Sequence, residues 1–152
     1  MLGSNNDVAT LNSLIATTID SINGYTESAD AVSNPQFREL FQELARDRQQ
    51  ALPKLQAEVA RLGGSPEDDG TTLAAAHRVF VDLKSSITGR DDKAVINEVE
   101  RGEDHIKSKF EDALADTGLS QGARAVVQEA YDSVRRGHDR VRDLKHALEG
   151  AA

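Results

Sequence analysis

Apolar and small residues recur alternately three and four positions apart at Val8, Leu11, Ile15, Thr18, Ile22, Tyr25 and Ala29, which predicts a helix over about 7–31 with one buried stripe. Asn34-Pro35 opens the next helix, because an Asn side chain accepts an orphan amide and Pro tolerates the first helical position. This second segment, 35–62, carries Phe37, Phe41, Leu44, Leu52, Leu55, Val59 and Leu62 on its stripe, and Gly63-Gly64 supplies a left-handed ending. Pro53 removes an internal hydrogen bond, so a kink or bulge is expected near Gln49 to Pro53, with periodicity on both sides keeping the helix continuous.

After the polar stretch Ser65-Pro66-Glu67-Asp68-Asp69-Gly70, Leu73, Ala76, Phe80, Leu83 and Ile87 predict a shorter helix over 72–88. Asp91 or Asp92 caps a fourth, over 92–116, with Val95, Val99, Gly102, Ile106 and Phe110 on its stripe. The last, 120–149, shows Ala123, Val127, Ala130, Val134, Gly137, Val141, Leu144 and Leu148. At the helical rise, four segments are roughly 35 to 42 Å long and the third only about 25 Å. Fusing the third and fourth would give a rod of about 60 Å that overhangs the rest, so the short helix is read as part of a crossover. Two antiparallel hairpins joined by a long link make the ferritin-like variant of the all-α four-helix bundle, here as one domain over 1–152.

Composition narrows the class. The 152 residues are 38% hydrophobic but only 4% aromatic, with no Trp, so the core is aliphatic, as packed helices prefer. The absence of Cys removes disulfides, thiolate metal sites and thiol catalysis. A net charge of -8 disfavours nucleic acid, no window is apolar enough for a membrane span, and the first residues lack a signal-peptide pattern. A soluble cytoplasmic bacterial protein is expected. An apolar flank at Leu14, Ile19 or Ile96 is a candidate homodimer surface.

The chemistry question centres on Arg48, a cation on an apolar stripe at mid-bundle depth, with Glu100, Glu103 and His138 at comparable depth on two other helices. A ferritin-like di-metal site needs carboxylates from facing helices plus Glu-x-x-His pairs. Asp20 and Glu27 lie roughly 160° round the helix from their nearest stripe members and should face solvent. Glu43 is followed three residues later by Arg46, and no carboxylate lies three or four residues before His138. The reading is therefore a buried polar cluster of Arg48, Glu100, Glu103 and His138, with Arg48 pairing Glu103. The blander reading lets Arg48 snorkel its guanidinium into water. No catalytic residue, metal ligand set or cofactor is assigned. His77, His105 and His146 carry no site, Tyr25 and Tyr131 are core aromatics whose hydroxyls need partners, and Asp68-Asp69 and Asp91-Asp92 lack calcium-loop spacing.

Thr88-Gly89-Arg90-Asp91-Asp92-Lys93-Ala94-Val95, Glu100-Arg101-Gly102-Glu103-Asp104 and His138-Asp139-Arg140-Val141-Arg142, with Leu11-Asn12-Ser13-Leu14-Ile15 and Arg61-Leu62-Gly63-Gly64, resemble a bacterial ferritin-like four-helix-bundle family of unknown function. The resemblance implies a compact, stress-associated bundle and no established reaction. Pro53 and Ser133 depart from the family pattern, the second where a Glu is common, which weakens a metal site near His138 further. The expected function is a non-catalytic stress-related or interaction bundle. The alternative is a di-iron or di-manganese carboxylate protein.

Overall fold

The computed structural model describes residues 2–68 and 92–151, with side chains from 6 to 68 and from 92 to 147. Four helices account for nearly all of them: α1 (Leu2–Ala31), α2 (Pro35–Arg61), α3 (Asp92–Ala115) and α4 (Gln121–Ala151). The expected short helix over 72–88 and His77 lie outside the described residues.

Local signals explain most of the boundaries. Asn34 caps α2 by accepting the Gln36 N–H at 2.9 Å, with Pro35 at the first position. Pro53 sits inside an α2 that is continuous to Arg61. Gly63 then adopts φ 84°, the left-handed ending. Gly64 is needed for a different reason, since a Cβ there would meet Val8 at 2.7 Å where the chain passes α1. One expectation needs correction. Helix α1 starts at Leu2 rather than near Asp7, and the Asp7 carboxylate accepts the Ser120 N–H at 3.4 Å in the α3–α4 loop. Asp92, the first residue of α3, ties the α1–α2 loop, accepting from the Ser33 N–H, the Ser33 hydroxyl and the Asn34 N–H at 2.9 to 3.0 Å, while Asp91, the other capping candidate, lies outside the described residues.

Those tethers define the topology. α2 ends beside the start of α1, where the Asn12 side-chain amide donates to the Ser65 carbonyl at 3.0 Å, whereas α3 begins beside the end of α1. The chain thus leaves α2 at one end of the bundle and enters α3 at the other. α1 packs mainly on α2 and α3, and α4 on α3 and α2, the neighbour order of a crossover bundle rather than of an up-down-up-down one. Among the described residues no helix is long and apolar enough to cross a membrane.

Because α1 is covered from two sides, its buried face is wider than one stripe. Leu14 joins the core, and so does Ile96 on α3, with Ile19 packed partly buried against it. Leu14 and Ile96 are therefore not part of the outer dimer flank that their spacing alone suggested, while Ile19 stays partly exposed. Thr17 and Thr18, also buried, return their hydroxyls to the Ser13 and Leu14 carbonyls at 2.9 and 2.7 Å.

Candidate functional site

The core divides into two apolar clusters. One gathers Leu11, Ile15, Leu55, Val59, Phe110 and Val127, and the other gathers Val32, Phe37, Phe41, Val95, Ile96 and Val141. Between them the α2 stripe runs Leu44, Arg48, Leu55, and the α3 stripe runs Val99, Glu103, Ile106, so helical periodicity alone carries one cation and one anion inward. Both are almost fully enclosed, Arg48 at 1% and Glu103 at 2% exposure.

They meet in a two-pronged bond, Nη1 to Oε1 at 2.8 Å and Nη2 to Oε2 at 2.9 Å, the fork-on-fork geometry that a planar guanidinium makes with a carboxylate. Helix α1 completes the pair. Ser21 Oγ accepts from Arg48 Nη1 at 2.5 Å, and the Tyr25 hydroxyl donates to Glu103 Oε1. The Tyr25 ring also lies beneath the guanidinium, 5.4 Å from its carbon, close enough for cation–π attraction, and tilts against Phe41.

Helix α4 contributes space. A Cβ on Gly137 would sit 2.6 Å from Arg48 Nη2 and 3.3 Å from Leu44 Cδ2, so the guanidinium occupies the room that any larger residue would fill. One layer of residues, from all four helices, encloses one ion pair.

Burial governs the electrostatics. It pushes the Tyr25 hydroxyl well above the ordinary phenol range, with the Glu103 charge adding to the rise and Arg48 opposing it. For Arg48, burial is the largest single influence and pulls downward, but the charge and hydrogen bonds of Glu103, with smaller contributions from Tyr25 and Asp47, together outweigh it and hold the group more firmly cationic than a free arginine. Among the described residues Arg48 Nε has no hydrogen-bond partner, so the ion pair is well but not fully satisfied there.

The other two residues expected in this cluster lie elsewhere. Glu100, one turn before Glu103 but about 60° round the helix, bonds Lys145 at 2.7 Å across the α3–α4 seam. His138, about 100° from Gly137, turns to Asp104 of α3, with Nε2 to Oδ1 at 2.8 Å and Nδ1 without a hydrogen bond among the described residues. Sequence reasoning did not place Ser21, Tyr25 and Gly137 in the site. Tyr25 and Gly137 both carried a signal, since they sit on their helices' stripes, one with a hydroxyl in need of a partner and the other as a mid-helix gap. Ser21 carried none.

A groove of about 350 Å³ between α1 and α3 reaches this layer, with Tyr25 and Glu103 in its wall beside Ser21, Gly24 and Gly102. The layer does not fit the di-metal centre that such a bundle can hold. That centre needs several carboxylates and imidazoles converging. Among the described residues the layer supplies one carboxylate, both of whose oxygens already accept from a fixed cation. Asp7 and Glu58, also buried carboxylates, are engaged by Ser120 and Arg61.

Comparison with known proteins agrees with the fold. A family model described as "Domain of unknown function (DUF2383)" matches residues 6–116. No curated protein matches the chain. A crystal structure of a two-domain protein from Anabaena variabilis, containing DJ-1/ThiJ/PfpI-like and ferritin-like domains, is similar with a TM-score of 0.76 at 17% identity. The likeness covers 98% of this chain and 38% of that one, and it shows a shared fold.

Proposed function

The chain belongs to the DUF2383 family, and from that membership and the layer just described we propose that it is a non-catalytic ferritin-like bundle, a stress-related or interaction protein. An internal ion network takes the place of a metal centre. One observation carries the reading: the guanidinium of Arg48 grips both oxygens of Glu103 in the middle of the bundle. A divalent cation there would have to displace a bonded cation and then bind without further carboxylates, while an arginine cannot become a ligand. A cytoplasmic setting suits a chain with no cysteine and a net charge of -8.

The contrasting reading is a di-iron or di-manganese carboxylate protein. Metal analysis of protein purified without chelator, with thermal melts in Fe(II) and Mn(II), separates the two. We expect metal far below one equivalent and no saturable stabilisation. Near-stoichiometric metal together with a melting temperature that climbs with added ion sinks the proposal.

A further inference from the structure

The groups that enclose the Arg48 guanidinium have the form of a receptor for a free planar cation. Arg48 is tethered to α2, yet its polar partners come from other helices: Ser21 and Tyr25 from α1 and Glu103 from α3. Gly137 of α4 supplies a wall without a side chain. The parts correspond to what guanidinium chemistry requires. A carboxylate in fork register selects a planar fork of N–H groups, an aromatic face accepts a weakly hydrated delocalised cation, and a glycine leaves room for the flat ion. An ammonium, compact and strongly hydrated, would satisfy only one oxygen at a time. The groove between α1 and α3 connects the Tyr25 and Glu103 side of this enclosure to solvent.

We infer that Ser21, Tyr25, Glu103 and Gly137 form a guanidinium-binding site whose resident ligand is the chain's own Arg48, and that a chain with that side chain shortened binds free guanidinium in its place. The inference rests on the reading of the layer as an ion pair instead of a metal centre. It goes further by specifying which cation the layer selects. Arg48→Ala removes the tethered ion and leaves the Glu103 carboxylate, the Tyr25 face and the gap beside Gly137.

The test is a thermal-melt titration of Arg48→Ala with millimolar guanidinium chloride, set against sodium chloride, methylammonium chloride, urea and Mn(II). Guanidinium should raise the melting temperature saturably in Arg48→Ala, although it is a denaturant at high concentration, and the other additives should not. The wild-type chain, whose site is filled, should show no such rise, and Arg48→Ala combined with Glu103→Gln should lose it. If Arg48→Ala does not fold alone, the same titration is read as recovery of helical circular dichroism. No rise and no recovery with guanidinium overturns the inference, as does an equal response to methylammonium. A response to Mn(II) in preference to guanidinium also overturns it, showing that the layer selects metal once Arg48 is gone. Stoichiometric metal in the wild-type chain would sink the underlying reading, whereas an Arg48→Ala chain indifferent to guanidinium sinks only this inference.

Discussion

Arg48–Glu103 and Lys145–Glu100 are ion pairs of nearly equal length, 2.8 and 2.7 Å, and both join helices on the α3 side of the bundle. Their surroundings differ far more than their lengths. The first pair is 1% and 2% exposed and the second 28% on each side. Equal distance therefore does not mean equal consequence. In the seam, water solvates either charge if its partner is removed. In the layer, removal strands a charge among aliphatic side chains, and the desolvation cost sets the outcome.

The largest effect should follow from breaking the inner pair on one side. Arg48→Met leaves Glu103 without its cation and should cost about 3 to 5 kcal/mol in urea denaturation. Arg48→Met with Glu103→Leu removes both charges and should recover most of that loss. A double variant as unstable as the single one would mean that packing, not the stranded charge, dominates. A change within about 0.5 kcal/mol for Arg48→Met alone would place the guanidinium in water after all.

Two glycines sharpen the contrast next. Gly137→Ala drives a Cβ to 2.6 Å from a guanidinium nitrogen pinned by Glu103, so strain of about 1 to 3 kcal/mol should outweigh the helix propensity gained. Gly102→Ala, on the groove wall of α3, meets nothing within 4 Å among the described residues and should stabilise by about 0.5 to 1 kcal/mol. Equal effects for the two would show that the layer relaxes freely around Arg48.

Alkaline pH probes the inner region through Tyr25. Its hydroxyl titrates well above the ordinary value of 10.0 in the folded chain, because burial opposes the phenolate. A raised folded value means that this stabilisation is complete below pH 10.0 and is lost as pH rises from there toward the folded value. Stability should fall in that range and fall less steeply in Tyr25→Phe. Tyr131, raised in the same direction by burial and by its bond to Glu111, keeps part of the slope. Identical slopes in wild type and Tyr25→Phe would contradict the burial of the hydroxyl.

The smallest effect belongs to the seam. Lys145→Ala should cost less than about 1 kcal/mol and lose even that as salt is raised. A loss comparable with that of Arg48→Met would erase the distinction between the two regions.

How far the sequence could be read follows from what a helical stripe encodes. The spacing of apolar residues, Asn34-Pro35 and Gly63-Gly64 together determined four long helices, and α2, α3 and α4 begin and end within two residues of their expected bounds. The start of α1 was less legible because its apolar stripe begins only at Val8, whereas the helix extends back to Leu2. The placement of Arg48 on the stripe of α2 likewise fixed its depth. Which residues would surround it was a different question. Each residue turns a helix by about 100°, so neighbours at the same depth face different partners. Glu103 could be distinguished from Glu100, and Gly137 from His138, only once the rotation and stagger of all four helices were set by packing. The chain's own pattern thus determined that a cation would be buried at mid-bundle. Tertiary structure alone decided that it would lie against Glu103, over Tyr25, beside Ser21 and in the gap left by Gly137, because those contacts join residues from separate helices that no local periodicity relates.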